Sequence, residues 1–167
     1  TLATTERLDH ITLEELAKLC QRGLKKRAHH IIYRQSNVGG PLFEYAKNNE
    51  LDYFRGEPLD VLDRYYKCAK KFSLDTIVRM TSDAPFLDPT IVDKVFSKFQ
   101  ETGCDFVSNN IIRTYPIGID TEVFSMKTLE KTWNQAKLPS EREHVTTFIK
   151  KNNYRMNKYF YSNIFNI

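Results

Sequence analysis

"DTIVRMTSDAPFLDP", residues 75–89, is the stretch whose reading decides the fold. Thr76, Ile77 and Val78 begin a β-branched run of the kind that fills a buried strand. The run breaks at residues 81–85 into a polar turn holding Asp83. Asp88 and Pro89 then open a helix, because Asp accepts the orphan N–H groups of a first turn and proline fits its first position. Gly103 stands where that helix would stop, since glycine takes a left-handed cap without steric cost. Where strand, turn and helix repeat in this order, the chain builds a parallel sheet joined by crossover helices.

The order does repeat. Upstream, Thr12 and Glu15 form a capping box ahead of "LEELAKLCQRGLKKR" (13–27), where Leu13, Leu16, Ala17, Cys20 and Leu24 recur at helical spacing. "HHIIYR" (29–34) reads as a strand, "QSNVGG" (35–40) as a turn and Pro41 as the start of a short helix. "DYFRG" (52–56) reads as a strand and Pro58 as the opening of a helix over "PLDVLDRYYKCAKK" (58–71). Downstream, "DFVSN" (105–109) is a strand, "GIDTEVF" (118–124) alternates by twos, and Ser125 caps "MKTLEKTWNQAK" (126–137). Ser140 with Glu143 boxes a helix over "EREHVTTFIKK" (141–151). The predicted architecture is α/β, a mostly parallel sheet with helices on its faces, in one domain over residues 1–167.

Composition narrows the class. Hydrophobic residues make up 41% of the chain and charged residues 28%, with 11 Phe and 9 Tyr to build a core, which argues against disorder. No run approaches the length of a membrane-spanning helix, and the first residues lack the basic-then-apolar pattern of an export signal, so the expected compartment is the cytoplasm. Cys20, Cys68 and Cys104 are far apart and odd in number, which favours reduced thiols over a zinc site or disulfides. The basic clusters Lys25-Lys26-Arg27, Lys70-Lys71 and Lys150-Lys151 close predicted helices, where cations complement the helix dipole, so the net charge of +4 needs no nucleic-acid partner.

Two acids in the turn need separate explanations. The cap position accounts for Asp88, but Asp83 lies too far ahead to cap the same helix. In open parallel sheets ligands sit beyond the carboxyl ends of the strands, which makes Asp83 a site candidate. A carboxylate there can hold Mg²⁺, which takes one or two carboxylates together with substrate phosphates. In "GIDTEVF" the period of two puts Asp120 and Glu122 on one face, either a site face or a solvated one. Gly118 just before them allows close approach of backbone or ligand.

"DYFRGEPLDVLDRYYKCAKK" (52–71), "IVRMTSDAPFLDP" (77–89), "RTYPIGIDTEVFSMKTLEKTW" (113–133) and "LPSEREHVTTFIKKN" (138–152), in this order, resemble the cytidylyltransferases of the spore-coat polysaccharide biosynthesis group, relatives of CMP-sugar-acid synthetases. The resemblance implies a Rossmann-like three-layer nucleotide-diphospho-sugar transferase fold and transfer of CMP from CTP to a sugar or sugar-acid hydroxyl, with release of pyrophosphate. Position by position, Asp83 resembles the family's Mg²⁺-binding aspartate and Asp120 a second acid at the metal. Thr81 and Glu122, in the same two motifs, fall among the implied substrate-binding positions. Arg55, Asp60, Asp63 and Arg64 match a signature near the substrate cleft, although Asp60 and Arg64 also have the i, i+4 spacing of a surface ion pair. Arg79, in the strand leading to Asp83, carries a charge that is costly to bury alone, so it calls for an anionic partner, Asp83 or a phosphate. Arg113, Tyr115, Glu141, Arg142 and His144 match positions facing the sugar.

The family's opening strand and glycine-rich phosphate loop are not recognisable over residues 1–41, so that part is expected to be incomplete or altered. A fragment, a replaced segment and an unreliable N-terminal sequence are alternative explanations. Without a central strand the sheet would expose apolar edges. Two rival functions share the turn: a nucleotide-sugar-dependent glycosyltransferase, and a non-catalytic binding or assembly module. A homodimer is a family-based expectation, for which "YFYSNIFNI" (159–167) offers an apolar contact or, equally, a core strand.

Overall fold

The computed structural model describes residues 2–5, 30–34, 41–57, 59–81, 84, 86–112, 115–152, 154 and 156–158. The helix expected over 13–27, the turn at 35–40 and the C-terminal stretch 159–167 lie outside the described residues, as do Pro58, Asp83 and Arg113. The elements run β1 (Leu2–Thr5), β2 (His30–Arg34), α1 (Pro41–Asn48), β3 (Asp52–Gly56), α2 (Val61–Lys71), β4 (Thr76–Thr81) and α3 (Pro89–Thr102). They continue with β5 (Phe106–Ser108), β6 (Glu122–Ser125), α4 (Met126–Gln135), α5 (Pro139–Glu143), α6 (Thr147–Lys151) and β7 (Met156–Lys158). Among these, no helix is long and apolar enough to cross a membrane.

The strands form one seven-stranded sheet in the order β3-β2-β1-β4-β6-β5-β7. It is parallel except for β6, which runs against both β4 and β5. The central strand corrects the sequence reading, which finds none near the N-terminus. Leu2–Thr5 pairs with β2 from Leu2↔His30 and with β4 from Leu2↔Arg79, so the sheet is continuous. "LATT" is too short to show a period; its place is set by ladders to strands far along the chain.

Period-two alternation divides the core between the two faces of the sheet. Ile77, Phe124 and Phe106 lie opposite one another in register and pack with Leu62 and Tyr65 of α2 and Leu129 of α4. Val78, Val123 and Val107 form the adjacent rung and pack, on the other face, with Val92, Val95 and Phe96 of α3. Burying each such side chain contributes about 1.5–3 kcal/mol, which is what holds the helices to the sheet.

The expected caps of α3 and α4 form. Asp88 accepts from Thr90 N at 2.7 Å, Gly103 ends α3 at φ +58°, and Ser125 accepts from Thr128 N at 3.1 Å. Other boundaries differ from the sequence reading. The helix expected from Pro58 begins at Val61, because the Asp60 carboxylate accepts from Asp63 N at 2.9 Å and ends the extended segment there. The helix expected over 141–151 is two short ones. Ser140 lies inside α5, and the Glu141 carboxylate reaches back to Leu138 N at 3.4 Å. Between α5 and α6 the chain turns, with Thr147 N donating to His144 O at 2.7 Å. Strand β6 starts only at Glu122; residues 118–121 form its approach, with Gly118 at φ +100°.

Candidate functional site

The strand order reverses between β1 and β4, so the carboxyl edge there is the topological switch point at which doubly wound sheets bind ligands. Strands β1 to β5 all end at that edge, and antiparallel β6 begins there. Arg55 near the end of β3, Asp60 at the start of α2, Thr81 at the end of β4 and Asp120 just ahead of β6 are thereby brought to one side of the molecule. The approach to β6 is tied to the segment after β4, since Phe86 N donates to Gly118 O at 3.1 Å, and Ala84 N donates to Thr81 O at 3.2 Å. The first of these bonds brings the segment that carries half-buried Asp120 alongside Phe86.

Below this edge lies a polar rung. Arg79, Glu122 and Ser108 are in register, and the Arg79 guanidinium meets the Glu122 carboxylate at 2.8 Å. Glu122 is therefore a buried anionic partner of Arg79, while Asp83 lies outside the described residues. Glu122 is 2% exposed, so the solvated strand face is excluded for it. Its carboxylate also receives Lys150 Nζ at 2.6 Å, the Thr146 hydroxyl at 3.0 and 3.1 Å and Asn110 Nδ2 at 3.4 Å. Burial alone would raise its pKa, but the charges of Arg79 and Lys150 outweigh burial and hold it at about 2. Thr146 and Lys150 come from the C-terminal helical region, so this one carboxylate joins it to the sheet.

A second cluster joins α2, α4 and α5. Arg142 Nε contacts both Asp60 oxygens at 3.1 and 2.9 Å, its Nη2 reaches Oδ2 at 2.6 Å, and its Nη1 donates to Trp133 O at 2.9 Å. This bidentate pair replaces the i, i+4 contact of Asp60 with Arg64 as the alternative to a site role. Arg64 is instead buried, with Nη1 donating to Glu57 O. The i, i+4 pair on α2 is Lys67 with Asp63, at 2.7 Å, and Asp63 also accepts from Trp133 Nε1 at 2.9 Å. Glu141 is buried, Tyr115 half-buried, and His144 exposed at the end of α5. Arg55 lies over the Phe43 ring at 5.9 Å.

The sequence reading passes over Asn109, Asn110, Thr146 and Lys150. Asn109 reads as a strand end and Lys150 as a helix-end charge; their partners lie ten or more residues away, so no local pattern signals them. Among the described residues, no group of three His, Cys, Asp or Glu side chains could hold a metal ion. Asp120 supplies one hard oxygen donor at the edge, which fits a cation that draws its other ligands from a second acid and from phosphates.

A doubly wound sheet with Asp120 at its carboxyl edge defines an α/β protein of the class that binds ligands at its strand ends. The chain belongs to the cytidylyltransferase family, whose model matches residues 46–166. It is 39% identical over 112 residues to an uncharacterized protein of Methanocaldococcus jannaschii, covering 66% of this chain and 44% of that protein. It is 34% identical over 98 residues to the spore coat polysaccharide biosynthesis protein SpsF of Bacillus subtilis, covering 58% of this chain and 40% of that protein. The chain thus spans less than half the length of these relatives. Among solved structures, a cytidylyltransferase from Leptospira borgpetersenii superposes with a TM-score of 0.80 at 27% identity, covering 93% of this chain and 72% of that one. A CMP:2-keto-3-deoxy-manno-octonic acid synthetase complexed with CTP shares the fold, with a TM-score of 0.63 at 7% identity, over 94% of this chain and 88% of that one.

Proposed function

We propose that the carboxyl edge at β1 and β4 is the site of a cytidylyltransferase that transfers CMP from CTP to a sugar or sugar-acid hydroxyl. The observation that carries this reading is the tether between Phe86 and Gly118. It joins the approach to β6, with Asp120, to the segment after β4 within a chain of this family. In the reaction the hydroxyl oxygen forms a bond to the α-phosphorus and gives up its proton to solvent, the bond from that phosphorus to the bridging oxygen breaks, and pyrophosphate leaves with the electron pair. Asp83 and Asp120 would hold Mg²⁺, which neutralises phosphate charge when bound.

The remaining work is positioning and electrostatics. Arg55 and Thr81 are assigned to the nucleotide, and Arg113, Tyr115, Glu141 and His144 to the acceptor sugar. Arg79 and Glu122 form the floor beneath them, and Asp60, Arg64 and Arg142 brace the start of α2. The test is titration of the purified chain with CTP, with and without Mg²⁺, for wild type and Asp83→Asn. Binding that is selective for CTP, requires Mg²⁺ and is lost in the variant is expected. Binding of nucleotide-sugars but not CTP would support the glycosyltransferase reading, and equal binding by both proteins would remove Asp83 from the site.

A further inference from the structure

Asp120 is useful to a cation only if its backbone is held still, and one buried side chain does this. Asn109, immediately after β5, is 2% exposed. Its Nδ2 donates to Ile119 O at 2.9 Å, and its Oδ1 accepts from Thr121 N at 2.8 Å. Its own backbone N–H donates to Thr121 O at 3.4 Å. The residues held are those on either side of Asp120. The amide orientation follows from the partners, since a carbonyl needs a donor and a backbone N–H needs an acceptor. Aspartate at this position would offer two acceptors and set one against Ile119 O, alanine would offer neither group, and glutamine adds a methylene that the buried site does not accommodate without repacking.

We infer that Asn109 is a positioning residue for the cation-nucleotide site, acting through Asp120. The clamp joins two neighbouring strands: Asn109 directly follows β5, and the segment it grips leads into β6. The Gly118 carbonyl, bonded to Phe86 N, fixes the same segment from the side of β4. Asp120 is therefore held on one side by β5 and on the other by the segment after β4, with no bond to the Asp120 carboxylate required. This inference rests on the assignment of Asp120 to the site.

The experiment is a double-mutant cycle on the full chain with Asn109→Ala, Asp120→Asn and the pair. The readout is the Mg²⁺ concentration needed for half-maximal CTP binding, with the thermal unfolding of each variant without nucleotide as the reference for folding. Asp120→Asn is expected to raise that concentration at least tenfold and Asn109→Ala roughly tenfold, in the range for loss of a residue that orients a metal ligand. The pair should be no worse than Asp120→Asn alone. Asn109→Asp keeps the bond from Thr121 N and should fall between wild type and Asn109→Ala; it also decides the question if the alanine variant does not fold. A weakened Asp120→Asn with a neutral Asn109→Ala, or with additive losses, overturns the role of Asn109 alone. An Asp120→Asn variant with wild-type Mg²⁺ dependence overturns the assignment of Asp120, and the role of Asn109 with it.

Discussion

Replacing Glu122 with glutamine keeps the shape of the side chain and removes its charge, leaving Arg79 and Lys150 facing a neutral amide. Removing one partner of a buried ion pair costs about 3–5 kcal/mol. Here water recovers part of that, because the Arg79 and Lys150 side chains are 17% and 35% exposed, so the expected loss is roughly 3 kcal/mol. The held carboxylate leads to the same figure: a fall from 4.5 to about 2 corresponds to about 3 kcal/mol of stability at neutral pH. Because the folded-state pKa is the lower one, that stability is fully present above pH 4.5 and is lost as the pH falls through about 2. Urea and thermal unfolding of wild type and Glu122→Gln should therefore differ at pH 7 by a melting-temperature drop of roughly 6–12 °C. The gap should shrink as the pH falls below about 4.5 and close only below pH 2, where protonated glutamic acid and glutamine become alike. Equal stability at pH 7, or a gap that does not close in acid, would refute the argument that this carboxylate is a charged hub.

Arg142→Ala removes the bidentate partner of Asp60 and the donor to Trp133 O in a partly exposed setting, and is expected to cost about 1–2 kcal/mol in urea unfolding. Combining it with Asp60→Ala should give less than the sum of the single losses, since both act on one pair. Gly103→Ala, at φ +58° with open space around the added methyl, should cost only about 1–2 kcal/mol from backbone strain. Gly56→Ala should cost more by the same measurement, because its methyl would stand 2.9 Å from Cγ of buried Arg64. Burial pushes the Cys68 thiol up to about 12, so thiol labelling at pH 8 should modify half-buried Cys104 well before Cys68, and equal rates would contradict the core placement of α2.

The local signals in the sequence were enough for β2 to β6 and the caps of α3 and α4, but not for β7. Each depends on residues within a turn or two of one another: Asp88 and Pro89, Ser125, the alternation of Ile77 with Val78 and of Val123 with Phe124. The start of α2 was misplaced by three residues because Pro58 and Asp60 are both plausible openings, and only the bond from Asp63 N selects between them. Central β1 was missed because four residues carry no period, and its position comes from hydrogen bonds to β2 and β4. The site divides in the same way. That an acid follows β4 and another precedes β6 is legible in the chain, since strand ends and turn residues are local. That Glu122 turns inward to Arg79 and Lys150, and that Asn109 grips both sides of Asp120, was decided by the antiparallel register of β6. Register pairs residues distant in sequence, and no neighbouring residue records the choice.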